Sequence, residues 1–159
     1  MADGFAVMST QHNNVAAVPA VISSTSLSLA RLAMRQQTEP ATGVLINATP
    51  RYLVVPAALE TLAEQTLTQI RAIQTGDVNI WASLLGVVCE PRLTNPTKWF
   101  LVAAPAQIEG LEFSYLEGEM GPQVFSEVGF DVDGLRFKIR LDFGGAFVEP
   151  RGWYMNAGA

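Results

Sequence analysis

A single histidine, His12, and a single cysteine, Cys89, bound the covalent chemistry this sequence supports. A thiol or hydroxyl nucleophile needs a base within hydrogen-bond reach, and an imidazole base here has to be His12. Cys89 sits inside an apolar run, where a thiol ordinarily behaves as a small inert hydrophobe. A small hydrolase or transferase using Cys89 with His12 is therefore a rival reading and not the leading one. One Cys and one His cannot close a zinc cage, and no carboxylate falls at helical i, i+3 or i, i+4 spacing beside His12. No catalytic residue, metal ligand or cofactor is expected.

Paired carboxylates occur at Glu117 and Glu119 and at Asp131 and Asp133. Both pairs flank glycine-containing turns, where acids solvate the chain and bond its backbone. Acid–base work would require a pocket and shifted pKa values, which a sequence does not display. Gly118, Gly121, Gly129 and Gly134 fit neither spacing of a phosphate-cradling loop. Asn47-Ala48-Thr49 matches a glycosylation acceptor, but no secretory signal accompanies it. Arg136, Lys138 and Arg140 recur at every second residue and share one face of a strand. That row is either a solvated face or a set of inter-subunit ion pairs meeting acids such as Glu117 or Glu119 of a neighbour. Like charges side by side repel unless something opposite faces them. The pairs Trp99-Phe100 and Trp153-Tyr154 are anchors for a core or an interface.

The elements that would position these residues can be read from patterning. Residues 1–23 read as a loop or arm, with Pro19 excluding a helix interior. Ser24, Thr25 or Ser26 caps a helix over 24–37, whose Leu27, Ala30, Ala33 and Met34 follow helical spacing and whose Arg31 and Arg35 share a face. Residues 52–55 form a short strand, and Pro56 suits the first turn of a helix over 57–72. Leu59, Leu62, Ala63, Thr66, Leu67 and Ile70 make its apolar stripe, with Glu60 and Glu64 early and Arg71 late, as the helix dipole favours. Strands are then predicted over 84–90, 99–103, 112–116 and 130–132. Asp133-Gly134 forms a hairpin turn into the clearest alternation in the chain. There Leu135, Phe137, Ile139, Leu141 and Phe143 point one way and Arg136, Lys138, Arg140 and Asp142 the other. The fold class is α+β, with helices in the first half and a mainly antiparallel sheet in the second.

Composition narrows the function further. With 159 residues the chain buries roughly 70% of its unfolded surface. Hydrophobic residues make up 49% and charged ones 16%, the latter below the usual share of about 25%. A charge-poor chain either encloses a large core or covers its outside with neighbours, because interface centres are depleted in charge. The net charge of −5 argues against gripping nucleic acid, which takes clustered cations. The lone Cys89 precludes an intrachain disulfide and fits a reducing compartment. Apolar runs fall short of the roughly 20 residues that span a bilayer, and Asp3 stands where a signal peptide would carry positive charge.

Several segments, in order, resemble one family. Residues 47–60, NATPRYLVVPAALE, look like a stretch of the major capsid proteins of tailed phages and prophages, especially the branch encoded as fusions with an upstream prohead protease. Residues 127–144, EVGFDVDGLRFKIRLDFG, and the ending Arg151-Gly152-Trp153-Tyr154-Met155-Asn156 resemble that branch's C-terminus. Glu90-Pro91-Arg92-Leu93 and Trp99-Phe100-Leu101-Val102-Ala103 also match in type and order. The opening through His12 and Asn14 resembles the loop the family places before the first helix, with Ser9 and Gln11 where members often carry a histidine and an aspartate.

The resemblance implies a capsid-type α+β fold in which helices pack on the sheet, comprising an axial domain and part of a peripheral one. It implies a single capsid-like domain over 1–159, the C-terminal part of a coat subunit without the N-terminal arm, extended loop and most of the spine helix. Such a chain is a structural subunit of an icosahedral head, self-assembling into hexamers and pentamers beside other head proteins, with no specific nucleic acid and no membrane. It is expected in the virion, and in the host cytoplasm during assembly. Glu117, Glu119, Arg136, Lys138, Arg140 and Trp153 are the expected inter-subunit contacts. The rivals are the Cys/His hydrolase and a phage-encoded binding module outside any shell.

Overall fold

A computed structural model of the chain describes residues 3–68, 84–129 and 133–159. In chain order its elements are α1 (Ser24–Arg35), β1 (Pro50–Val55), α2 (Glu60–Thr68), β2 (Gly86–Cys89), β3 (Trp99–Ala103), β4 (Leu111–Tyr115), β5 (Gln123–Val128), β6 (Leu135–Arg140), β7 (Phe143–Phe147) and β8 (Trp153–Asn156). The architecture is mixed α and β, with strands outnumbering helices. The chain divides into two compact units, Met1–Gly110 with Val148–Ala159, and Leu111–Phe147.

The first unit is built on a four-stranded sheet in the order β2-β1-β3-β8. β1 and β2 run parallel, from Tyr52 opposite Gly86 to Val55 opposite Cys89, and a parallel pair requires a crossover such as the one α2 begins. The other two pairings are antiparallel and bring Leu53, Leu101 and Tyr154 to one level of one face. All three are buried there. Against them lie Leu27, Ala30 and Met34 of α1 and Ala63 and Leu67 of α2, in one apolar cluster. Those helical positions recur every three or four residues, which is why one side of each helix reaches the core.

The helix boundaries differ from the sequence reading in instructive ways. Ser23, and not one of the three residues after it, caps α1. Its hydroxyl accepts from the Ser26 amide, while the Ser26 hydroxyl accepts from the Ser23 amide. Ser26 thus fills the third position of a capping box, a role usually taken by Glu or Gln. The second helix opens with a 3-10 turn, Ala57–Leu59, before α2. The remainder of the predicted helix, 69–72, lies outside the described residues.

Apart from a 3-10 turn at Thr10–His12 the N-terminal segment is loop, as expected, but it is pinned to β8. Met155 donates to the Asn14 carbonyl and accepts from the Ala16 amide, each at 2.8 Å. Asn14 itself is fully buried. Its amide donates to the carbonyls of Val7 and Pro150, and its side-chain oxygen accepts from the Ser9 amide. Every polar atom of that side chain is thereby answered, which offsets its desolvation.

The second unit consists of two antiparallel ribbons, β4 with β7 and β5 with β6. The alternation predicted to run on through Phe143 is broken at Leu141 and Asp142, between β6 and β7. The predicted strand over 130–132 lies outside the described residues, and β5 precedes it at Gln123–Val128. Its partner register is continuous, from Gln123 opposite Arg140 to Val128 opposite Leu135.

Candidate assembly surfaces

The two groups singled out for covalent chemistry are not brought together. His12 Nε2 lies 2.6 Å from an Asp3 carboxylate oxygen and Nδ1 lies 3.0 Å from the Val7 carbonyl. Both neighbours are pure acceptors, so the ring is best served as an imidazolium donating from both nitrogens. The Asp3 hydrogen bond accordingly raises the His12 pKa above its ordinary value, more than burial lowers it. Both ring nitrogens are thus engaged within their own loop. Cys89 stands on β2, at one edge of the sheet, whereas the segment carrying His12 is bonded to β8 at the other. Three strand spacings of about 4.8 Å separate the two edges. Burial pushes the Cys89 thiol up, and the nearby carboxylates of Glu60, Glu90 and Glu64 push it the same way. A thiol so placed is a poor nucleophile. Among the described residues no group of three or more His, Cys, Asp and Glu could hold a metal ion, and no helix is long and apolar enough to cross a membrane.

What the molecule offers instead is uncovered apolar surface. On the β5–β6 ribbon, directly opposed residues share a face, and the register places Val124 with Ile139, Ser126 with Phe137 and Val128 with Leu135. Phe137 and Ile139 are each 69% exposed, and Val124, Val128 and Leu135 are similarly open. The β4–β7 ribbon has a counterpart: Phe113, Tyr115 and Phe143 pack ring to ring with centroids about 6 Å apart. Phe113 and Phe143 are nevertheless exposed. Two-stranded ribbons are marginal by themselves, and contiguous apolar patches on a soluble chain mark contact surfaces. The sequence alternation had shown the β6 half of the first face. Val124 and Val128 were missed because only the β5–β6 register places them beside it, and Phe113 and Tyr115 because only the β4–β7 pairing brings them to Phe143.

The charged row lies on the other side of the β5–β6 ribbon, with Arg140 opposite Gln123, Lys138 opposite Phe125 and Arg136 opposite Glu127. Arg136 and Lys138 are exposed. Arg140 is held within its own chain. Its guanidinium pairs with the Glu119 carboxylate, lies 3.1 Å from Asp142 without hydrogen-bond geometry, and sits 5.9 Å above the Phe125 ring. The Glu119 pair holds the Arg140 pKa above its usual value. Glu117 is exposed in the preceding turn, where Gly118 takes the left-handed conformation. Trp153 is half-buried on β8 and meets Phe100 edge to face at 6.4 Å.

A family of phage capsid proteins matches residues 1–156. The chain belongs to that family, and membership gives it a structural role in a phage head. A chain from the solved procapsid of satellite phage P4, which includes the size determination (Sid) protein, is similar at 12% identity with a TM-score of 0.44. The match covers 84% of this chain and 38% of that one, so the chain spans well under half of its length. No curated protein matches.

Proposed function

We propose that this chain is the coat-forming portion of a subunit of an icosahedral tailed-phage or prophage head, of the branch whose major capsid protein is encoded with an upstream prohead protease. In this reading residues 1–159 act as one capsid-like part of that subunit, made in the host cytoplasm and ending in the virion. Copies meet in hexamers and pentamers alongside other head proteins. Helices packed on the sheet form the axial portion, and the ribbons belong to the peripheral one. Glu117, Arg136, Lys138 and Trp153 remain contacts toward neighbours, while Glu119 and Arg140 reach them as a pre-formed ion pair. In this reading no specific nucleic acid and no membrane is a partner, and the net charge of −5 gives phosphates little to bind.

The observation that carries this reading is the open apolar face of β5–β6 in a member of a capsid family. Covering one large apolar side chain contributes roughly 1.5–3 kcal/mol, so a subunit that meets its neighbours through such faces gains stability on assembly. Mixing the chain with an assembling full-length member of the family, then imaging and analysing the purified shells, tests it. Incorporation into the shells is expected. A chain left wholly outside them, and monomeric by itself at every concentration, would overturn the proposal.

A further inference from the structure

One groove of the first unit holds hydrogen-bond donors that the described residues do not use. It encloses about 330 Å³ between the segment 16–20, the first half of α1 and strand β8. Ala17, Val18, Ala20 and Leu29 supply apolar walls, and Tyr154 and Asn156 reach it from β8. The latter two stand two residues apart on the strand, so their side chains share a face. They are only 7% and 4% exposed. The orientation of Asn156 is fixed, because its Oδ1 accepts from the amides of Ala20 and Gly158, each at 2.9 Å. Its Nδ2 is left as a donor, and among the described residues it meets no acceptor. The Tyr154 hydroxyl has no partner there either, and burial pushes its pKa up, so it keeps its proton. A buried tyrosine hydroxyl ordinarily finds a partner. Among the described residues Arg140 Nε alone is a buried side-chain nitrogen or oxygen without a hydrogen bond. Both donors therefore reach solvent, and the groove is the opening they share.

We propose that this groove binds an extended, uncharged segment of a different polypeptide. One large apolar side chain of that segment fills the space over Ala17 and Ala20, and its main-chain carbonyls accept from the Tyr154 hydroxyl and the Asn156 amide. The residues that line the groove carry no charge, so a neutral acceptor such as a peptide carbonyl suits the two donors, whereas an anion would find no cation. The alanines leave room for a side chain larger than their own. Apolar surface also continues past the groove: Val18 and Leu29 are exposed at its rim, and Leu32 is exposed one turn further along α1. A polypeptide covers such a surface, with one anchor in the groove and weaker contacts around it. The exposed apolar strands of this chain, β4 to β7, are already paired in ribbons and offer no single extended segment. The inference goes beyond the coat-subunit reading, since it requires neither a second copy nor a shell.

Methyl NMR on the full chain tests it with acetyl-Ala-Leu-Ala-amide, a blocked and uncharged peptide. Saturable shifts at the methyls of Ala17, Ala20 and Leu29 are expected, with several-fold lower affinity for acetyl-Ala-Ser-Ala-amide. Tyr154→Phe keeps the ring and removes the unused donor. Its urea midpoint is expected to hold while its affinity for the leucine peptide falls several-fold. Ala17→Leu, at an exposed position, fills the groove and should weaken the same peptide at least as much. No shifts at these methyls, or a Tyr154→Phe chain that binds as well as the original, overturns the docking. A marked drop in the Tyr154→Phe midpoint does so too, because it gives the hydroxyl a role inside the chain. Equal shifts with isoamyl alcohol, which offers a leucine-like body without peptide carbonyls, would make the groove a small-molecule site. The same shifts on concentrating the chain without peptide would assign it to a second copy. Either result overturns the inference and leaves the coat reading intact.

Discussion

The indole of Trp99 donates a 2.9 Å hydrogen bond to the carbonyl of Ala20. Trp99 is completely buried on β3, and Ala20 belongs to the segment that runs past β8 to the start of α1. One bond thus fastens the N-terminal loop to the sheet and sets where the helix enters. Trp99→Phe leaves that carbonyl short of its donor and costs roughly 1–3 kcal/mol. Trp99→Ala adds a cavity and costs about 3–5 kcal/mol. Urea unfolding curves report both, and an unchanged midpoint for Trp99→Ala would contradict the role given to the ring.

The His12–Asp3 pair makes the anchoring of that same segment depend on pH. The pKa of His12 is raised from 6.5 and that of Asp3 lowered from 3.8, each chiefly by the hydrogen bond between them. The raised His12 contribution is complete below 6.5 and fades as pH climbs through its folded value. The lowered Asp3 contribution is complete above 3.8 and fades as pH falls through its folded value. The pair therefore stabilises most between those two ordinary values. Asp3→Asn should narrow the stability difference between about pH 5 and about pH 9, and an unaltered profile would remove the pair from the account.

Cys89 tests the rival enzymatic reading. With burial first and three carboxylates next opposing the thiolate, alkylation at neutral pH is expected to run several-fold slower than for a free thiol. Glu60→Gln should quicken it. A fast reaction that His12→Gln slows would revive a Cys–His pair.

Gly158 closes the chain against the loop before β3. It takes φ +74, where a Cβ would run into the Thr97 carbonyl, and the Thr97 hydroxyl donates to the Ala157 carbonyl at 3.0 Å. Gly158→Ala combines that collision with a backbone conformation costing roughly 1–3 kcal/mol for a side-chain-bearing residue. A lower urea midpoint at constant slope is the expected result.

Much of this fold is legible in the sequence because its signals are local. The 27, 30, 34 spacing marks the inner face of α1, and Leu135 to Ile139 alternate as β6 requires. What escaped depends on partners distant in the chain. Ser23 outcompeted three other plausible caps because Ser26 answers it. The parallel pairing of β1 with β2 comes from a crossover that strand propensity does not encode. Alternation in 135–143 distinguishes two faces but is silent about what covers either. An apolar row is the same sequence signal whether it lines a core or, like Phe137 and Ile139, meets solvent in the isolated chain. His12 read as a candidate base because its neighbours in space, Asp3 and Val7, are loop residues without a motif.

Assembly is expected to cover the open ribbons. Hydroxyl-radical footprinting with mass spectrometry, on the free chain and on the same chain in purified shells, reads the oxidation of Phe113, Phe137 and Phe143 directly. Strong labelling in the free chain and marked protection in the shells is the predicted result. Equal labelling of all three rings in both states would contradict it.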